Sequence, residues 1–175
     1  MINDESYFHL VNRRLAAVKF QLSIANNKEI ADTVAKEHAC IDSALLQLYF
    51  ALINYLNELL EHYQRPVICS DNLDLEEILV DTKNQFHQIY EADEIKRCLN
   101  AKGSALALLI KLPASLMIKT TIASTKRKDV AVGKNVIAVS SEVPEKNLFS
   151  VSVVQEISDH LQKIIDRQRA NQSEY

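Results

Sequence analysis

The sequence predicts an all-α fold: a helical bundle of four to five helices around one long central helix, with a long irregular crossing before the last helix. Two observations carry this prediction. The chain of 175 residues contains only 2 glycines and 3 prolines, far below ordinary usage, so most of the residues that build tight turns are missing. Its apolar residues also recur at steps of three and four, which aligns side chains along one face of a helix.

The first helix is predicted over residues 4–26, with Asn3 or Asp4 placed to cap its first backbone amides. Its apolar seam consists of Phe8, Val11, Leu15, Val18, Leu22 and Ala25. A short break follows at Asn26 and Asn27. Two helices joined by so short a connection usually form an antiparallel hairpin, so we expect the first helix to pack along the second.

The central helix is predicted over residues 28–63, a stretch without Gly or Pro. Two apolar seams run along it, and a helix with two seams has neighbours on two sides. The first seam is Val34, His38, Ile41, Leu45, Leu48, Leu52, Tyr55 and Leu59, and the second is Leu46, Tyr49, Ile53, Leu56, Leu60 and Tyr63. The other helices are therefore expected to pack around this one.

The next part of the chain is predicted to hold two more helices. Residues 64–73 contain Pro66 and small polar residues and are predicted to be a loop. Asp74 and Glu77 have the spacing of a capping box, which begins a helix that bends or restarts near 91–93 and stops at Gly103. Residues 105–118 are almost entirely apolar and predict a buried helix that Pro113 kinks or ends.

The last third of the chain is predicted to be a crossing followed by one helix. Residues 119–147 are rich in Ser, Thr, Lys and Val and are predicted to be irregular, with a small hairpin over 129–140 compatible with the valine pattern. The closing helix is predicted over 150–172, with Val154, Ile157, Leu161 and Ile164 on one seam. Its polar end is expected to be frayed. Together these elements predict one domain over residues 1–175.

The composition and charge of the chain limit its expected partners and cellular location. The chain has 20 basic and 23 acidic residues and a net charge of −3, so no overall field draws it to nucleic acid, which we consider an improbable partner. The start of the chain lacks the pattern of an export signal, and its apolar windows are interrupted by polar residues, so we expect no membrane span. Three cysteines without a CxxC pattern fit free thiols in the cytoplasm.

No catalytic, cofactor or metal motif stands out. Glu is followed four residues later by His three times, whereas di-iron bundles use a spacing of three, so we predict no metal site and no cofactor. His38 occupies an apolar seam, where a histidine needs a hydrogen bond or stays neutral. The candidates for lining a pocket are His38, Tyr49, Asn54 and Tyr55, and catalytic residues remain unassigned.

Two segments resemble a known family. KEHACIDSALLQLYFALINYLNELLEHY and IDRQRANQSEY are similar to the corresponding parts of a family of uncharacterised bacterial helical proteins, classed as a domain of unknown function. The resemblance implies a small all-helical bacterial protein without an assigned activity, and it supplies no catalytic residues.

Three functions remain open on these grounds. The first hypothesis is a non-enzymatic protein-interaction or structural helical module that associates with itself as a homodimer, because a helix with two apolar seams in a small domain tends to leave apolar surface for a second copy. The second is a small-molecule-binding or hydrolytic helical-bundle enzyme with a site near His38. The third is a metal-binding bundle.

Overall fold

The fold of the protein is all-α, as the sequence predicts. The computed structural model describes residues 6–68, 75, 85–110, 112 and 149–173. Within these ranges there are five helices and no strand. The helices are α1 (Tyr7–Asn26), α2 (Val34–His62), α3 (Tyr90–Asn100), α4 (Ala107–Ile110) and α5 (Val151–Gln172). Their buried side chains form one hydrophobic cluster.

Helix α1 confirms the predicted apolar seam but not the predicted cap. Five seam residues are buried, and Phe8, the sixth, is 45% exposed. The helix begins at Tyr7 behind Ser6, which makes no side-chain capping bond. The N-cap position is thus that of Ser6, and the predicted caps Asn3 and Asp4 lie outside the described residues.

Helix α2 is the central helix, but it begins six residues later than predicted. It spans Val34–His62, 29 residues, or about 44 Å at 1.5 Å per residue. The side chain of Asn27 accepts a hydrogen bond from the Glu29 amide at 3.0 Å, which closes a local turn that competes with a helix. The Thr33 hydroxyl accepts from the Lys36 amide at 3.3 Å. Thr33 is thus the N-cap, a signal that apolar spacing does not contain.

Both predicted seams of α2 are buried over most of their length. The helix has 13 buried residues, and only three predicted seam residues are exposed: Val34 (63%), Leu46 (41%) and Tyr63 (38%). Val34 and Tyr63 lie at the two ends of the helix, where fewer neighbours reach. The prediction that the central helix packs on two sides is confirmed.

By length and composition alone, α2 also qualifies as a membrane span, contrary to the expectation from the sequence. More than half of its apolar window, 56%, is buried inside the protein. The core helix of a bundle passes the same test, so this property is weak evidence for a membrane.

The four longer helices alternate in direction around the core. Asn12 of α1 and Glu58 of α2 both bond Arg169 of α5, which places the start of α1 beside the ends of α2 and α5. In α3 and α5 the pairs are Glu91 with Gln172 and Glu94 with Gln168, so these two helices are antiparallel. Within the described ranges, each of these four helices thus runs opposite to the next, as in an up-and-down bundle.

The outcomes for the remaining predicted elements differ along the chain. Helix α3 begins close to the predicted restart, and Gly103 adopts a positive φ of 83° in the turn behind it, as a helix stop requires. Helix α5 ends at the predicted residue and begins one residue after the predicted start, with Ser150 as its N-cap and the Ser150 hydroxyl accepting from the Val153 amide at 3.4 Å. The Asp74–Glu77 capping box, the Pro113 kink, the irregular crossing and the hairpin over 129–140 lie outside the described residues.

The C-terminus of α2 ends in a Schellman motif with glutamine where glycine is usual. The Arg65 amide bonds the Leu60 carbonyl at 2.7 Å, and the Gln64 amide bonds the Glu61 carbonyl at 3.0 Å. Gln64 has a φ of 52°, a left-handed conformation that costs a residue with a Cβ about 1–2 kcal/mol.

Replacing Gln64 with glycine is therefore expected to raise the free energy of unfolding by about 1 kcal/mol, because glycine adopts this φ without strain. The larger entropy that glycine loses on folding offsets part of the gain. Urea denaturation checks the result. The matched control is Gln64→Ala, which keeps the Cβ and should change stability little. A glycine variant no more stable than the alanine variant would contradict the prediction.

Candidate functional site

The four residues predicted to line a pocket do not meet at one place. His38 lies half-buried near the start of α2, 17 residues and about 25 Å along the helix from Tyr55. The Tyr49 hydroxyl accepts a hydrogen bond from the Leu75 amide at 3.1 Å, and the Tyr55 hydroxyl donates to Gln168 at 2.7 Å. Asn54 is half-buried. The two tyrosines thus use their hydroxyls inside the fold, and a ligand pocket around them stays a prediction.

A network of polar side chains, buried at its centre and exposed at its edges, joins the helices at the end of α5, and we call it the clasp. Its members are Asn12, Tyr55, Glu58, Glu91, Glu94, Arg167, Gln168 and Arg169. They come from α1, α2, α3 and α5. Within the described residues, the clasp is therefore the one place where polar contacts join all four longer helices.

Arg169 is the centre of the clasp. Its Nε and Nη2 atoms each donate to one carboxylate oxygen of Glu58, both at 2.7 Å, and Nη1 donates to Asn12 Oδ1 at 2.9 Å. The guanidinium also lies over the ring of Phe8, 4.3 Å from its centroid. A planar fork that binds both carboxylate oxygens is the geometry arginine favours, and the two side chains are only 17% and 14% exposed.

Gln168 forms the second part of the clasp and is 2% exposed. Its amide oxygen accepts from Tyr55, and its amide nitrogen donates to Glu94 Oε2 at 2.8 Å and to the Glu91 carbonyl at 3.2 Å. Burial raises the pKa of Tyr55 far above its ordinary value, with the Glu58 carboxylate adding to the effect. The phenol therefore remains protonated, as its role as a donor requires.

Glu91 and Glu94 extend the clasp toward solvent. Arg167 pairs with Glu94. The Tyr63 hydroxyl donates to the Glu91 carboxylate at 3.1 Å, and Gln172 Nε2 donates to the same group at 3.3 Å. Partial burial and this carboxylate both raise the pKa of Tyr63. Since the clasp groups satisfy one another, the arrangement is suited to joining helices rather than to binding a substrate.

The clasp overturns the expectation that the polar end of α5 frays. The helix continues to Gln172, and its last turns contribute most of the clasp donors. A signal for it exists in the spacing: Leu161, Ile165, Gln168 and Gln172 follow one another at steps of four, three and four. Gln168 therefore continues the buried seam, but a rule that counts only apolar residues stops before it.

Four exposed apolar side chains lie at the end of the bundle that holds the clasp, and we call this surface the aromatic end. They are Phe8 (45% exposed), Tyr63 (38%), Val67 (37%) and Tyr90 (80%). Phe8 touches Arg169, and Tyr63 bonds Glu91, the neighbour of Tyr90. The contacts thus connect the surface to the clasp beneath it.

A groove of about 660 Å³ lies at the other end of α5, between Val153, Glu156 and residues 99–105 with 107, 108 and 110. A second, shallower depression follows the polar face of α5, where Asp159 and His160 are among the lining residues. None of the four predicted pocket residues lines either one.

Metal-ligating residues do not gather in the part of the chain that the structure describes: no three His, Cys, Asp or Glu side chains there could hold an ion. The hypothesis of a metal-binding bundle therefore has no ligand set within these ranges. Cys40 and Cys98 are free and half-buried.

Comparison with known proteins places the chain in a family. No curated protein and no solved structure matches it significantly. A family whose description is "Family of unknown function (DUF6586)" matches residues 11–175, which include all of α2 and α5 and most of α1. Because the match covers most of its length, the chain belongs to the Family of unknown function (DUF6586).

Proposed function

We propose that the protein is a non-enzymatic interaction module that forms a homodimer through the aromatic end. The observation that carries the proposal is the exposure of Tyr90 (80%) at the same end of the bundle as the exposed rings of Phe8 and Tyr63. Tyrosine and phenylalanine are enriched at the centres of protein interfaces. The clasp beneath supports a docking role, because it fixes the helices that carry these rings.

The size of the aromatic end indicates how much of an interface its three rings can supply. Given exposed fractions of 45%, 38% and 80% and about 150–250 Å² for each aromatic side chain, the three rings offer roughly 300 Å². A standard interface buries about 800 Å² per partner. The rings would thus supply the centre of an interface and polar neighbours its rim. Because so small a centre leaves little free energy beyond the cost of association, we expect a dissociation constant on the order of tens of micromolar.

A second copy is the partner we favour. Most soluble oligomers are two-fold homodimers in which the same patch meets itself. Aromatic side chains can stack on their own copies across such an axis. The net charge of −3 is too small to keep two copies apart at physiological ionic strength.

Sedimentation equilibrium between about 1 and 200 μM tests the proposal, since this range brackets the expected dissociation constant. We expect the mean mass to rise from monomer toward dimer, and Tyr90→Ala to shift the midpoint at least about tenfold, the effect of a hot-spot residue. The matched control is Phe20→Ala, because Phe20 is 63% exposed but lies on α1 away from the aromatic end. A monomer throughout the range, or equal effects of the two variants, would reject this dimer.

The proposed location is the cytoplasm. The free thiols of Cys40 and Cys98 support it, because a reducing compartment keeps such thiols unpaired. Fractionation of cells that produce the tagged protein from its own gene tests this, and recovery with the membrane pellet after a high-salt wash would count against it.

A further inference from the structure

The apolar contacts of α5 do not by themselves define where the helix sits along the bundle. The apolar residues of its buried seam are the similar aliphatic residues Val154, Ile157, Leu161, Ile164 and Ile165. Helix α2, which α5 contacts, buries a run of leucines: Leu45, Leu48, Leu52, Leu56 and Leu59. A slide of α5 by one turn, about 5.4 Å, would bring most aliphatic side chains back onto aliphatic positions. Such one-turn shifts between packed helices are known.

The hydrogen bonds of the clasp, unlike the apolar contacts, would not survive the same one-turn slide of α5. Both Arg169–Glu58 bonds are 2.7 Å long and the Asn12 bond is 2.9 Å, so a displacement of one turn breaks all three. It also breaks the 2.7 Å bond from Tyr55 to Gln168. Charges that are only 17% and 14% exposed would then lose their partners in a largely desolvated place, which is strongly unfavourable.

We propose that the clasp is a register device: it selects the single position at which α5 docks on the α1–α2 hairpin, and it contributes this specificity rather than net stability. The physical basis is the contrast between non-directional apolar packing and directional charge-assisted bonds. Replacing a whole buried ion pair by apolar residues often leaves stability unchanged or higher, whereas polar groups in a core can specify one arrangement among several. The proposal is independent of dimer formation.

The test replaces both halves of the ion pair in the full-length protein, Glu58→Leu with Arg169→Met. The reporters are the δ1 methyl groups of Ile157, Ile164 and Ile165, which lie on the buried seam and are at most 3% exposed. We expect one methyl resonance for each isoleucine in the native protein and at least two in the double variant. Its urea midpoint should equal or exceed that of the native protein.

A matched control and a second variant complete the experiment. The control removes an exposed ion pair, Asp32→Asn with Lys36→Gln, whose side chains are 56% and 58% exposed, and should leave single resonances. Arg169→Lys keeps the charge but loses the fork, so it should also give additional resonances. Single resonances in both Arg169 variants would overturn the proposal. So would a double variant that is unfolded or has a much lower midpoint, because the pair would then act through stability.

Discussion

Arg169→Ala is expected to lower the free energy of unfolding by about 3 kcal/mol, because removing one partner leaves the Glu58 carboxylate unpaired where it is 14% exposed. Breaking a buried ion pair in this way typically costs 3–5 kcal/mol, and the remaining exposure of this pair places it at the lower end. The change also removes the hydrogen bond to Asn12 and the contact with Phe8. Urea denaturation followed by circular dichroism measures the loss.

The matched control for this prediction is Arg167→Ala, two residues away on the same helix. Arg167 also pairs with a glutamate of the clasp, but it is 53% exposed, and exposed pairs contribute about 0–1 kcal/mol. Both changes remove one arginine from α5 and alter the net charge equally. If both variants lost the same stability, burial of the Glu58–Arg169 pair would not be what makes it important.

How well the sequence predicts a structural feature depends on whether the spacing of apolar residues specifies that feature. The seams of α1, α2 and α5 can be predicted from this spacing, because most of their buried side chains are aliphatic or aromatic and recur at steps of three and four. The start of α2 cannot be predicted from apolar spacing, because side-chain hydrogen bonds of Asn27 and Thr33 to the backbone determine it. The same holds for the end of α2, where Gln64 adopts a conformation typical of glycine.

The clasp could not be predicted from apolar spacing for a related physical reason. A polar residue enters a core only when partners from other helices satisfy it, and those partners are far apart in sequence: Tyr55 and Gln168 are 113 residues apart, and Glu58 and Arg169 are 111 apart. Spacing within one helix cannot reveal such pairs. The sequence did direct attention to Tyr55, although as a pocket residue rather than as a donor to α5.

Leu52→Ala is expected to lower the free energy of unfolding by about 3 kcal/mol, since Leu52 is 0% exposed in the middle of the central helix. Removing buried leucine atoms loses their transfer free energy and leaves a cavity, at a typical cost of 2–5 kcal/mol. Packing on both sides of α2 limits how far neighbours can relax into that cavity. In a chain of this size the loss corresponds to a melting temperature lower by roughly 6–12 °C, which calorimetry measures.

Leu46→Ala is the matched control, because it makes the same chemical change on the same helix at a side chain that is 41% exposed. It should cost about 1 kcal/mol or less, since solvent fills the space and little burial is lost. The difference between the two variants reports the packing of α2 separately from helix propensity, which both changes alter equally. Equal losses would mean that Leu52 is not enclosed by the surrounding helices, and the central position of α2 would have to be given up.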